Sequence, residues 1–179
     1  MRVSIARPKS IFKVDRFLIP YRVYENEGPH VICINGVQQS MAMWQTLVSR
    51  FQSDYRIVLF DFPGQGKART LSGPINVSLD EQVQILQAVM DEVEVRAFYE
   101  HGLFVISSKR LSDLVDLKKI KAKTFLVNGE KDAIIDSEDV KFLASQIPGC
   151  EVRILKGVGH FLHMEREDVV DAYADILAF

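Results

Sequence analysis

Four short apolar runs, each leading into a polar or glycine-bearing turn, constrain this chain more than any other feature. They are "HVICING" (His30 to Gly36), "RIVLFDFPGQG" with its apolar part at Ile57 to Phe60, "KTFLVNGEKD", and "EVRIL", which leads into "KGVGHFLHME". Such runs, rich in β-branched and aliphatic residues, suit strands covered on both faces. The intervening stretches carry helical spacing instead. "MAMWQTLVSRF" sets Met43, Leu47, Val48 and Phe51 along one side. "SLDEQVQILQAVMDEVEV" opens with Ser78 and Glu81 at capping-box spacing and places Val83, Leu86, Val89, Met90 and Val93 on one face. "SEDVKFLASQIPG" predicts a third helix stopped by Pro148 and Gly149, and "EDVVDAYADILAF" a closing helix. Ahead of all these, "IFKV" and "LIPYRVYE" predict a β-hairpin or two neighbouring strands.

Strands alternating with helices predict an α/β fold: a mainly parallel sheet with helices on both faces. Ligands of open sheets of this kind bind beyond the carboxyl ends of the strands. The informative turns are therefore Asn35 to Gln38, Asp61 to Gly66, Asn128 to Asp132 and Gly157 to His160, all expected on one edge.

Composition narrows the class. A chain of 179 residues can bury one sizeable core, so a single domain over 1–179 is expected. Lys plus Arg number 22 against 24 Asp plus Glu, a net charge of −2 that gives no reason to expect nucleic acid or an anionic membrane. Cys33 and Cys150 have no metal-ligand spacing, and Cys33, inside an apolar run, reads as a small core residue. No apolar run reaches the length of a membrane span. The start, "MRVSIARPKSIFKVD", is too broken by charge and proline for a signal peptide, so a cytoplasmic location is expected.

The turns, in their order, resemble those of the α/β-hydrolase fold. "INGVQQSMAMW" is similar to the turn whose backbone N–H groups help form an oxyanion hole, which assigns Gly36, Val37 and Gln38 to that loop. "LFDFPGQGKA" is similar to the family's D-x-P-G-x-G turn. "FLVNGEKDAII" resembles the strand and turn carrying the acidic member of a catalytic triad, here Asp132. "GVGHFLHME" resembles the histidine turn, here His160. The segments "ING", "VLFD", "NGE-D" and "GHFL-ME" stand closest to the bacterial branch acting on 3-hydroxyacyl groups carried on acyl carrier protein, which makes polyhydroxyalkanoate precursors and the lipid part of rhamnolipids. The resemblance covers about residues 10–95 and 120–179. It implies acyl transfer through a serine ester, a small acyl ester or acyl thioester as ligand, acyl carrier protein as a partner, and no metal or other cofactor.

One part of that pattern is missing. The nucleophile of the fold sits on a tight strand-to-helix elbow, G-x-S-x-G or S-x-S-x-G-G. The ten glycines fall at 28, 36, 64, 66, 73, 102, 129, 149, 157 and 159, and no two are four apart. Where the elbow belongs, "RAFYEHGLFVISSKRLSDLVDLKKIKAK" runs straight into the acid-bearing strand. An internal deletion near residues 95–97 is the expected reason, removing the elbow strand, its helix, the next strand and the lid.

Ser107 and Ser108 are the remaining nucleophile candidates by position, if Leu103 to Ile106 is a strand. Their neighbours Val105, Ile106, Lys109 and Arg110 are bulky for a tight elbow. The preferred alternative is one helix, with Leu103, Ile106, Arg110, Leu111, Leu114 and Leu117 near one stripe. Ser40 reads as a loop serine or a cap for the helix beginning near Ala42. Asp61 reads as a turn residue whose carboxylate caps nearby N–H groups. His30 and His101 read as surface or strand-end residues. His163 and Glu165 do not make the helical zinc pattern H-E-x-x-H with His160. Gly64 and Gly66 precede no G-K-[ST], so a phosphate loop is not indicated. Three explanations stay open: a deletion within an ordinary hydrolase, a noncatalytic relative that binds a ligand or partner, and an assembly, a homo-oligomer being expected, in which another chain supplies the missing strand.

Overall fold

The computed structural model describes residues 10–36, 39–75, 77–95, 101–103 and 116–177. It divides into two compact units, Met1–Phe98 and Tyr99–Phe179.

In the first unit, β1 (Ser10–Val14) and β2 (Phe17–Tyr24) form the expected hairpin, with Val14 opposite Phe17 across the turn Asp15–Arg16. Strand β2 pairs antiparallel with β4 (Arg56–Phe60), and β4 pairs parallel with β3 (His30–Cys33). The strand order is β1-β2-β4-β3, with a two-residue strand β5 (Arg69–Thr70) beside β2. The sheet is thus mixed. It is antiparallel around β2, and parallel where a helical crossover separates β3 from β4. That crossover is a 3₁₀ turn, Met41–Trp44, followed by helix α1 (Gln45–Phe51). The Ser40 side chain accepts from the Ala42 N–H, which is the capping role expected of it.

Strand β4 is buried at every position, whereas β3, equally apolar in sequence, is only partly buried over His30, Val31 and Ile32. The difference follows from position, because β3 ends the strand path. The core is formed by Phe17, Ile19, Val23, Val58 and Phe60 with Ile85 and Val89 of helix α2 (Leu79–Glu92) and Val93 at its C-terminal cap. The capping box of α2 is present, Ser78 accepting from the Glu81 N–H while the Glu81 carboxylate accepts from the Ser78 N–H. The buried face is rotated from the one expected. Ile85 is 1% exposed and Val83 47%. Ile85, Val89 and Val93 lie four apart and share one side, and Val83, two residues before Ile85, falls well round the helix.

In the second unit, β6 (His101–Leu103), β7 (Lys123–Gly129) and β8 (Glu151–Leu155) form a parallel sheet in that order. Strand β6 corrects the reading of Leu103 as the start of a helix. Its backbone pairs with β7, placing Leu103 opposite Phe125, a long-range choice that three residues of sequence do not announce. Leu117, at the far end of the same stripe, lies in a 3₁₀ turn, Leu117–Lys119. Residues 104–115 lie outside the described residues. Helix α3 (Ser137–Ser145) joins β7 to β8, and Asp136 caps it by accepting from the Glu138 N–H. Val140 and Ala144 pack on Leu126. The closing segment is a 3₁₀ helix, Glu167–Tyr173, before a single α-turn, Ala174–Leu177, rather than one continuous α-helix. Its buried Val170, Tyr173 and Ile176 recur every third residue, the period that a 3₁₀ helix lines up on one side.

Candidate acid–base site

The second unit brings together the ends of β7 and β8. After Gly129 the chain turns back, and the Asp132 N–H donates to the Gly129 carbonyl at 3.2 Å. Beyond β8, the loop 156–160 crosses this turn. The Glu130 N–H donates to the Leu155 carbonyl at 2.9 Å and the Lys131 N–H to the Val158 carbonyl at 2.8 Å. Position 129 must be glycine for this crossing, because a Cβ there would lie 2.3 Å from the carbonyl oxygens of both Val158 and Gly159.

The crossing places the Asp132 and His160 side chains in contact, with Nδ1 of His160 2.9 Å from Oδ2 of Asp132. The other carboxylate oxygen, Oδ1, accepts from the N–H groups of Ile134 at 2.8 Å and Ile135 at 2.9 Å. One oxygen is thus bound to the Asp's own turn and the other faces the histidine. The Asp132 side chain is 2% exposed and that of His160 24%. Burial pushes the Asp132 carboxyl up, but the Ile135 N–H, His160 and the Ile134 N–H together outweigh it and hold it below the ordinary carboxylate range. An ionised carboxylate only accepts, so Nδ1 of His160 carries the proton of this bond, and in a neutral ring the lone pair falls to Nε2.

In the first unit, the turns after β3 and β4 are tied by a buried polar network. Asn35 Nδ2 donates to the Phe60 carbonyl at 2.9 Å and to Asp61 Oδ1 at 3.1 Å, and Asn35 Oδ1 accepts from Trp44 Nε1 at 2.8 Å. Asp61 Oδ1 also accepts from the Met41 N–H at 2.6 Å, and Oδ2 from the Lys67 N–H at 3.2 Å. Asp61 therefore caps neighbouring N–H groups, as its turn position implied. Gln65 reaches across to donate to the Gly36 carbonyl at 2.7 Å. Gly36 is held in this network, while Val37 and Gln38 lie outside the described residues, as do Ser107 and Ser108. Burial pushes the Cys33 thiol far up, which leaves it a poor nucleophile. His163 is buried with its ring against Tyr173.

The sequence patterns had marked Asp132, His160 and Asp61 but not the residues that hold them. Asn35, Trp44 and Gln65 lie within the quoted turn segments, but no pattern singled out their side chains. Glu165 is visible only as the last letter of "GHFLHME", where its distance from His160 carries no chemical signature. Among the described residues no group of three or more His, Cys, Asp and Glu side chains could hold a metal ion, and no helix is long and apolar enough to cross a membrane.

Strand order, the D-x-P-G-x-G turn and an Asp–His contact at adjacent strand ends define a class. The chain has the α/β-hydrolase fold, and a family model described by that fold matches residues 29–102. Proline iminopeptidase PfmaB of Pestalotiopsis fici is 33% identical over 85 residues, which make up 48% of this chain and 30% of that protein. ABHD14B of Rattus norvegicus is 24% identical over 164 residues, 77% of each chain. The crystal structure of the enol-lactonase from Burkholderia xenovorans LB400 superposes with a TM-score of 0.77 at 13% identity, covering 95% of this chain and 100% of that one. The chain thus spans under a third of the iminopeptidase and about three quarters of ABHD14B.

Proposed function

We propose that this chain is of the ester and thioester hydrolysis or acyl-transfer class, and that it keeps an acid and a base, Asp132 and His160, without a serine nucleophile. The observation that carries this reading is the 2.9 Å contact between His160 Nδ1 and Asp132 Oδ2, in a sequence that contains no G-x-S-x-G. In a complete site Asp132 fixes the imidazole tautomer and Nε2 takes the proton of the serine hydroxyl. With no hydroxyl to deprotonate, turnover falls to what oxyanion donors and binding alone supply. The Gly36, Val37 and Gln38 loop would supply those donors. An iminopeptidase and an enol-lactonase among the similar proteins support the hydrolytic class. The ligand is a small acyl ester or acyl thioester. An acyl group on acyl carrier protein is its finer form, following the sequence resemblance to the 3-hydroxyacyl branch. Loss of a segment near residues 95–97 accounts for the missing elbow.

The test is a fluorophosphonate probe together with p-nitrophenyl butyrate and a short acyl thioester. The expected result is no covalent labelling and no turnover above buffer. Labelling and turnover that disappear in Ser107→Ala but survive in Ser108→Ala, or the reverse, would overturn the proposal and assign a minimal esterase.

A further inference from the structure

We propose that Glu165 is the positioning residue for His160, an assignment that rests on reading Asp132 and His160 as an acid–base pair. Its two carboxylate oxygens bracket the histidine. Oε2 accepts from the Gly159 N–H at 2.8 Å and Oε1 from the Phe161 N–H at 3.0 Å, the amides on either side of His160. A residue whose flanking amides both bind one carboxylate cannot swing its Cα–Cβ direction without breaking a charge-assisted hydrogen bond. Glu165 touches no reacting atom and acts only through the backbone of the histidine turn.

Two local features accompany this bracket. A Cβ at Gly159 would lie 2.7 Å from Glu165 Oε1 and 2.9 Å from Oε2, so glycine is what lets the carboxylate close on the turn. Leu162 has a φ of 41°, a left-handed conformation that a leucine adopts only when its surroundings hold it there. It lies in the chain between Phe161, one of the bracketed amides, and Glu165, and the Glu165 N–H donates back to the Leu162 carbonyl at 3.0 Å. From the other side, the Gly157 N–H donates to Glu130 Oε2 at 3.0 Å. Three amides of residues 157–161 therefore end on two carboxylates. The acid–base contact then depends on a second acid that never meets the imidazole.

Nitrogen-resolved NMR of the full chain tests this without any turnover. The unsubstituted protein is expected to show a downfield His160 Nδ1 proton that disappears in Asp132→Asn, and slow hydrogen exchange at the Gly159 and Phe161 amides. In Glu165→Ala those two amides should exchange about tenfold faster or more, because local opening controls their exchange, and the His160 signal should broaden away. Exchange in helix α3 should stay unchanged. Glu165→Gln, with one carbonyl oxygen left to accept, should fall between, and it is the variant to read if the alanine form does not fold. Unaltered exchange at Gly159 and Phe161, or a His160 signal as sharp as in the unsubstituted chain, overturns the role of Glu165. Absence of any Asp132-dependent His160 signal sinks the acid–base reading instead, and amide exchange then still decides the role of Glu165.

Discussion

Oδ2 of Asp132 accepts from Nδ1 of His160 across 2.9 Å, although 28 positions of sequence separate the two residues. The Asp132 carboxyl is held low by this bond together with two backbone N–H groups, so its ionisation is linked to folding.

A carboxyl depressed in the folded state contributes stability that is present above its unfolded value, about 3.9, and is lost as pH falls through the folded value. The melting temperature of the unsubstituted protein should therefore drop as pH is lowered below about 4. Asp132→Asn keeps an oxygen for the Ile134 and Ile135 amides but carries no charge. It should be less stable at neutral pH, with a shallower decline on the acid side. Melting curves across this range, followed by circular dichroism, measure both slopes, and equal slopes would contradict the linkage.

Gly129→Ala places a methyl group against two fixed carbonyl oxygens rather than against a flexible side chain. The expected loss is about 3 kcal/mol, at the upper end for overpacking a tight site. Urea titration should show a lower midpoint with an unchanged slope. A midpoint equal to that of the unsubstituted chain would mean that the turns 129–132 and 156–160 separate readily.

Trp44→Phe removes the indole N–H that Asn35 Oδ1 accepts while leaving most of the ring volume in place. A buried acceptor left without its donor costs about 1–3 kcal/mol. Asn35→Ala in the same background should then cost less than it does alone, which a double-mutant cycle reads directly.

Strand β3 ends the strand path of the first sheet and β6 that of the second, among the described residues. Unpaired edges of apolar strands invite pairing with another chain. We expect a homodimer or larger assembly in solution. Sedimentation at low micromolar concentration should give about twice the 20.4 kDa chain mass or more. A single sharp species at the chain mass would remove the expectation.

Much of the fold was legible because its strands are apolar and close together with their turn residues. Val58 and Phe60, Phe125 and Leu126 declare buried strands, and Ser78 with Glu81 declares a helix start. The hairpin could be read from two alternating runs. Strand β6 could not, since its identity is conferred by the backbone of Thr124 and its neighbours rather than by His101, Gly102 and Leu103 themselves. The phase of α2 was missed because Val83 is as apolar as Ile85, and only the packing partner decides which side is inside. Asp132 and His160 stood out by their place after buried strands. Glu165, Gln65 and Trp44 did not: Gln65 and Trp44 act through hydrogen bonds to residues that the fold brings near, and Glu165 through backbone amides of its own turn, which no side-chain pattern marks.

The crossing of loop 156–160 over the turn that begins at Gly129 is built entirely from residues of the second unit, and most of its bonds are made by backbone atoms. Selection for a chain that simply folds is enough to keep it. The Asp–His contact rides on that crossing, so folding alone can hold the two side chains together, whether or not a nucleophile faces them. An intact Asp–His pair is then a mark of the fold and no measure of turnover by itself.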